Sequence, residues 1–364
     1  MMDRRQFIQL SGAMLASTAA LQSCSLGEDR YKQAVYQTWK HTVPFPTDQQ
    51  AVQHELVRYA TLAASSHNTQ CWKFKLENRL ISIFPDLERR CPAVDPDDHH
   101  LYASLGCATE NLLQAAKAFG LEGAVDLAST NAIRIQLEST QPARSPLFEA
   151  IPVRQSTRTE YYGQPLTNEE LNLLDKAAVG TGVQLILLTD SAAMKTVLDY
   201  VIEGNTAQMK DPAFVKELKS WLRFNGDEAV REGDGLFAKS SGNPTAPHWL
   251  GSLLFDRFFT PKAENEKYTQ QILSSAGIAI FVSEANTKAN WIEAGRAYQR
   301  FALQAAALDI RTAFLNQPVE VAALRPQFAG YLQIGDRRPD LVVRFGRGPK
   351  MPYSMRRPIE AVIV

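Results

Sequence analysis

Three clusters hold the side chains best suited to grip an anion or a polar ligand: Ser65-Ser66-His67-Asn68-Thr69-Gln70, Arg154-Gln155-Ser156-Thr157-Arg158 and Arg356-Arg357. A guanidinium is a planar fork matched to phosphate oxygens, so Arg154, Arg356 and Arg357 are candidates for a cationic cradle. Each cluster also has an ordinary reading. Arg154 and Arg158 suit surface charges at a helix approach, Arg356-Arg357 a solvated tail, and Asn68 and Gln70 a turn. A fourth cluster, Asp95-Pro96-Asp97-Asp98-His99-His100, has metal-ligating residue types. It immediately precedes a helical segment, where acids cap the chain and favour the positive dipole end, and adjacent histidines point to different faces. Capping is the better reading, and no metal is expected.

These clusters must be positioned by the elements between them. Gln49 to Ala64 has helical apolar spacing and runs into the Ser65–Gln70 loop. Trp72–Leu76 and Leu80–Phe84 alternate like a hairpin that turns at Glu77-Asn78-Arg79. A helix is predicted over Leu101 to Phe119, closed by Gly120, followed by strands near Ala124–Ala128 and Ala132–Leu137. Ser139 to Pro152, rich in Pro and Ser, reads as a linker. Beyond it, Thr167 and Glu170 form a capping box, Val183–Leu188 and Gly277–Val282 suit buried strands, Trp291–Leu308 a long helix and Leu341–Phe345 a last strand. Helices and strands in both halves predict an α+β (α/β layered) fold.

With 364 residues, 45% of them hydrophobic and 21% charged, the chain suits two domains or half-domains. Lys+Arg and Asp+Glu both total 39, a neutral balance that gives no electrostatic reason to bind nucleic acid. Arg4-Arg5-Gln6-Phe7-Ile8 before a mild apolar stretch resembles a twin-arginine export signal, and Leu21-Gln22-Ser23-Cys24 resembles a lipobox. Residues 1–24 are therefore expected to be an address read by the export machinery. The expected location is the periplasm or cell envelope, with Cys24 a candidate lipid anchor. Cys71, Cys91 and Cys107 fit neither a paired metal site nor a disulfide ladder by spacing, and read as small buried hydrophobes.

Ala64-Ser65-Ser66-His67-Asn68-Thr69-Gln70-Cys71-Trp72 resembles the Pro-Ser-Ser-x-Asn-x-Gln-Pro-Trp loop of the FMN-dependent nitroreductase family. Arg154-x-Ser156-x-Arg158 resembles that family's opening Arg-Arg-Ser-x-Arg motif. The Gly295 to Ala307 helix with Asn316-Gln317-Pro318-Val319-Glu320 resembles its flavin-facing segment, and Arg356-Arg357-Pro358 its C-terminal basic motif. Cys71 stands where the family has proline and Gln155 where it has a second arginine. The loop lies in one half (49–138) and the arginine motif in the other (152–364), as in the fused two-repeat, Acg-like branch. The resemblance implies a pseudo-dimer in one chain that encloses one FMN.

It also implies roles. Arg154, Arg356 and Arg357 would cradle the phosphate, while Ser156 and Arg158 would meet ribityl or the pyrimidine edge. Ser65, Ser66, Asn68 and Gln70 would bind from the opposite half. Gln317, Val319 and Glu320 would lie at the ring, with a backbone N–H near Val319 or Glu320 as donor to flavin N5. No side-chain acid or base is required. Residues 204–263, with their Gly, Pro and aromatic content, form an insertion and candidate lid.

Two functions follow from the resemblance. One is an oxidoreductase passing hydride from NAD(P)H or a redox partner to a nitroaromatic, quinone or similar electron-poor substrate. The other is a protein that sequesters FMN beneath a closed lid.

Overall fold

The computed structural model describes residues 28–128 and 132–364. The twin-arginine and lipobox readings at Arg4, Arg5 and Cys24 lie outside the described residues. The fold is α+β. Its strands are β1 (Trp72–Glu77), β2 (Leu80–Pro85), β3 (Leu121–Asp126), β4 (Ile133–Ser139), β5 (Val183–Leu188), β6 (Leu222–Arg223), β7 (Leu236–Phe237), β8 (Gly277–Ser283), β9 (Arg311–Phe314) and β10 (Arg338–Gly346).

Two four-stranded sheets have the orders β1-β2-β4-β3 and β5-β8-β10-β9, antiparallel throughout. The orders are the same topology written twice, with β1, β2, β3 and β4 corresponding to β5, β8, β9 and β10. Helices Gln49–Thr61 and Asn168–Ala177 precede the first strand of each set, and helices His99–Ala118 and Lys288–Ala307 precede the third. The latter two helices are 20 residues each. Each ends in a left-handed residue, Gly120 (φ 77°) and Asp309 (φ 58°), before its strand begins.

These two helices pack on one another and form the seam between the halves. Gly106 and Gly295 hold the same position, the eighth, in their helices. A Cβ on Gly106 would sit 2.0 Å from the Ile292 carbonyl oxygen, and one on Gly295 would sit 1.9 Å from that of Ala103. Ala103 and Ile292 are again equivalent positions. Farther along, Arg300 Nη1 donates to Glu110 Oε2 (2.7 Å) and Gln299 Nε2 to Asn111 Oδ1 (2.7 Å), another exchanged pair of positions. Contacts advance together along both helices, so they run in the same direction about a pseudo-twofold axis. This is an isologous interface inside one chain.

The sheets differ in how they are covered. Strand β4 alternates between buried and exposed positions and β3 between half-buried and exposed ones, as in a one-sided sheet, whereas β8 and β10 are buried throughout. Ala279 and Phe281 of β8 join the seam core, while Ile278, Ile280 and Val282 meet Val197 and Val201 of helix Ser191–Lys210. The long segment between β5 and β8 supplies that second cover. Its first helix runs unbroken through Gly204, so the insertion starts earlier than residue 204 and first breaks at Asp211-Pro212.

Two local expectations change. Within the supposed linker, Pro146–Ala150 is a short helix capped by Ser145, and Phe148, Ala150 and Ile151 are buried. Proline at its start is compatible with helix because the first N–H needs no partner. Asp98 makes no capping bond; Asp95 caps the His99–Ala118 helix instead, accepting from the His100 and Leu101 N–H groups (3.0 and 2.9 Å).

The C-terminus crosses to the first half. Phe74 N–H donates to the Val362 carbonyl (2.7 Å) and Val364 N–H to that of Phe74 (2.9 Å), extending the β1 edge.

Candidate functional site

A cavity of about 260 Å³ lies between the halves and beneath the insertion. The first half lines it with Ala64, Ser65, Ser66, His67, His100, Ala103, Ser104 and Cys107. The second contributes Arg158, Phe314, Asn316, Gln317, Glu320 and Leu341. Asn205, Gln208, Phe214, Leu218, Leu222, Leu236, Phe255, Phe259, Lys267, Tyr268 and Gln271 close it from the insertion side.

Arg158 is aimed by its backbone. Thr157 N–H donates to Thr312 O (2.8 Å), Ser156 bridges to Thr312, and Gln271 Nε2 donates to Arg158 O (3.2 Å). Buried Arg344 donates to the carbonyls on either side, Thr157 O (3.0 Å) and Thr159 O (2.8 Å). The guanidinium thus projects into the cavity, where it has no hydrogen-bond or ion-pair partner among the described residues. Burial lowers its pKa, and the nearby Tyr268, Tyr298 and Tyr161 oppose that shift. An unpaired, half-buried cation lining a cavity favours an anionic ligand. Gln317 Oε1, buried without a partner among the described residues, is a second unmet group in the cavity lining.

The Ser65–Gln70 loop has three non-glycine residues at positive φ: His67 (46°), Asn68 (54°) and Gln70 (54°). Such backbone persists only where surroundings enforce it. Ser65 Oγ accepts from Gln70 N–H (2.9 Å). Asn68 Nδ2 donates to Gly235 O (3.0 Å) and Met355 O (3.2 Å), and its Oδ1 accepts from Arg356 Nη1 (2.9 Å). Gln70 Nε2 donates to Gly233 O (2.9 Å), and its Oε1 accepts from Arg357 N–H (2.8 Å). Asn68 and Gln70 therefore hold the loop, while Ser65, Ser66 and His67 face the cavity.

The arginines divide the same way. Arg356 is buried on the end of helix Gln49–Thr61, donating to Thr61 O (2.6 Å), Leu62 O (3.3 Å) and Ala63 O (3.0 Å). Arg154 donates to Leu62 O (3.0 Å), and its buried Nε has no partner among the described residues. Arg357 lies near Asp86 (3.7 Å). Thus the structure brings Ser65, Ser66, Arg158, Gln317 and Glu320 together and places Asn68, Gln70, Arg154, Arg356 and Arg357 behind the walls. Val319 is fully buried, and the Val319 and Glu320 N–H groups both donate to Asn316 O (2.9 and 2.8 Å). The expected donor to flavin N5 is already engaged there.

Asn205, Gln208, Lys267 and Tyr268 belong to no sequence motif. They reach the cavity only because the insertion folds over it. His100 Nδ1 lies 3.8 Å from Asp95 Oδ1 and 3.9 Å from Glu320 Oε1, and neither ring nitrogen has a hydrogen-bond partner among the described residues. Burial lowers the His100 pKa and raises that of Glu320, so both favour their neutral forms. Asp95, His99 and His100 do converge as metal-ligating types. Asp95, however, is occupied as a helix cap, and His99 Nε2 pairs with Asp340 Oδ1 (2.8 Å).

No family model matches the chain. Two proteins of Mycobacterium tuberculosis, from strains CDC 1551 / Oshkosh and ATCC 25618 / H37Rv, are each 24% identical over 320 residues. The match covers 84% of this chain and 88% of theirs, and both are provisionally named NAD(P)H nitroreductases. The chain is thus similar to both over most of its length. Among solved structures, an FMN-bound nitroreductase of Bacteroides fragilis is 14% identical with a TM-score of 0.35, covering 57% of this chain and 90% of that one. An FMN-dependent nitroreductase of Mycobacterium smegmatis in complex with NADPH is 12% identical with a TM-score of 0.37, covering 56% and 87%.

The buried Asp340 makes the stability of the fold depend on pH. Burial pushes its carboxyl up to about 7, against the opposing influence of Ser283 and Arg338. The folded chain therefore holds a proton that the unfolded chain releases near pH 4. Its stabilising contribution is complete below that pH and is lost as pH rises through 7. Asp340→Asn should lose less stability than wild type between pH 4 and pH 8 in urea denaturation. Equal losses would show that Asp340 is ionised in the folded chain.

Proposed function

We propose that this chain is an FMN-dependent oxidoreductase of the nitroreductase type, with one flavin per chain. The observation that carries this reading is the unpaired Arg158 guanidinium, held in a cavity between the halves opposite Ser65 and Ser66. The cavity fits the group: it offers a cation for phosphate, hydroxyls and amides for ribityl, and apolar walls for a planar ring. Bound there, FMN would supply two-electron redox chemistry at its ring.

The chain's own residues would do the rest. Arg158 would take the anionic end, and Ser65 and Ser66 would hydrogen-bond from the first half. Gln317 would turn its unpartnered oxygen to a ligand donor. Phe214, Leu218, Phe255 and Phe259 would exclude water. His100 and Glu320 can hold or pass a proton within the cavity. The relatives' names suggest NAD(P)H as electron donor, with a nitroaromatic, quinone or similar electron-poor acceptor.

Arg158→Ala should weaken FMN by roughly ten- to a hundredfold, the loss expected for charge-assisted contacts of about 1.5–3 kcal/mol. The exposed Arg134 of β4 is the control. Equal retention of flavin by Arg158→Ala and Arg134→Ala, measured by fluorescence titration, would remove the basis of this reading.

One observation favours sequestration as a second reading: the insertion supplies six apolar side chains to the cavity lining. Stopped-flow reduction separates the two. Turnover with NADH or NADPH supports the enzyme, whereas reduction that appears only after the insertion is shortened supports a store.

A further inference from the structure

Beside the cavity stand three residues that the flavin reading does not use. His67 belongs to the left-handed Ser65–Gln70 loop, Cys91 to the stretch after β2, and Glu217 to the insertion helix Pro212–Ser220. One donor atom from each lies within 4.8 Å of the other two, and Cys91 Sγ is 3.6 Å from His67 Nδ1. A tetrahedral ion with a metal–sulfur bond of about 2.3 Å and a metal–nitrogen bond of about 2.0–2.1 Å would separate those two ligand atoms by about 3.5 Å.

We infer that His67, Cys91 and Glu217 form a binding site for a divalent transition-metal ion of the zinc and cobalt class, with its remaining position open toward the cavity. Three protein ligands and one open position are the pattern of reactive rather than purely structural zinc sites. Thiolate and imidazole select this class over magnesium or calcium, which prefer oxygen ligands alone.

Two features fit this reading better than incidental contact. The Glu217 carboxylate is oriented by backbone donors, Ala93 N–H (2.9 Å) and Val94 N–H (3.1 Å), as ligating carboxylates commonly are. Each oxygen retains a lone pair for an ion. His67 holds a left-handed backbone (φ 46°, ψ 17°) without the glycine that would make it cheap, a cost of about 1–3 kcal/mol of the kind that clusters at functional sites. It also lines the cavity, so the open position would face whatever binds there. On binding, the Cys91 thiol loses its proton to solvent, sulfur and the ion form the new bond, and no electron changes hands.

The test is a cobalt titration of the full chain after chelator treatment, followed by absorption and pH-stat measurement. One cobalt per chain should bind, producing a thiolate-to-cobalt charge-transfer band and releasing about one proton. Cys91→Ser should abolish the band. Glu217→Gln should keep it while weakening affinity by more than the roughly ten- to hundredfold cost of losing an outer-shell partner. Absence of a saturable band in wild type would overturn the site. So would a band that survives Cys91→Ser, because another cysteine would then be the ligand. If Cys91→Ser does not fold, Glu217→Gln decides alone, and unchanged cobalt affinity in that variant overturns the proposal.

Discussion

Gly295→Ala is expected to be among the most damaging single substitutions in the chain. The added methyl would sit 1.9 Å from the Ala103 carbonyl oxygen and 2.7 Å from its carbon. These are backbone atoms of the facing helix, so no side-chain rotation relieves the clash. Helices His99–Ala118 and Lys288–Ala307 would have to separate, loosening the seam core and the Glu110–Arg300 and Asn111–Gln299 contacts beyond it. Overpacking usually costs about 1–3 kcal/mol, and a backbone clash of this depth belongs at or above the upper limit. Gly106→Ala should behave alike, because its methyl meets Ile292 O at 2.0 Å in the equivalent place. Gly330 is the control: it lies in helix Arg325–Tyr331 with nothing within 4 Å of an added Cβ. Alanine there should be neutral or mildly stabilising, by up to about 1 kcal/mol. Chemical denaturation of the three variants checks the set. A loss below about 1 kcal/mol for Gly295→Ala would mean that the seam yields more readily than close-packed interiors do.

Arg356→Ala should have the second large effect, and it should fall on the apoprotein. The buried guanidinium donates to Thr61, Leu62 and Ala63 carbonyls, to Met355 O (2.9 Å) and to Asn68 Oδ1 (2.9 Å), and it lies 4.7 Å from the Trp39 ring centroid. It thereby satisfies the carbonyl end of helix Gln49–Thr61 and complements its negative dipole end. Its removal would strand several buried acceptors, each worth about 1–3 kcal/mol when unmet, for a total of about 3–5 kcal/mol after relaxation. Lysine should not rescue it, because one ammonium cannot span that fan of acceptors. Unfolding of flavin-free protein measures this directly. Unchanged apoprotein stability with collapsed flavin affinity would return Arg356 to the phosphate cradle that its motif suggests.

The contrast between Arg356 and Arg158 shows where residue type stops informing. Both sequence motifs offer guanidinium groups, and a guanidinium is equally suited to a phosphate and to the carbonyls at a helix end. Local sequence cannot tell these acceptors apart. The choice depends on the C-terminal arm reaching β1, which carries Arg356 onto helix Gln49–Thr61. Arg344 and Gln271, meanwhile, hold the backbone around Arg158 so that its side chain enters the cavity.

Local rules carry information because they act over a few residues. The Thr167–Glu170 capping box forms as its spacing predicts, the β1–β2 hairpin turns at Asn78-Arg79, and Gly120 closes its helix in the left-handed region. Propensity, alternation and capping are satisfied within one element, so the sequence by itself determines them. Tertiary structure alone decides what lies between elements. The pseudo-twofold seam rests on two glycines at which an added Cβ would lie 1.9–2.0 Å from a facing carbonyl oxygen, and neither glycine differs locally from one that merely weakens a helix. The cavity's insertion wall and the meeting of His67, Cys91 and Glu217 join positions distant in the chain. Their proximity is a product of packing two sheets and an insertion together, which no periodicity along the chain encodes.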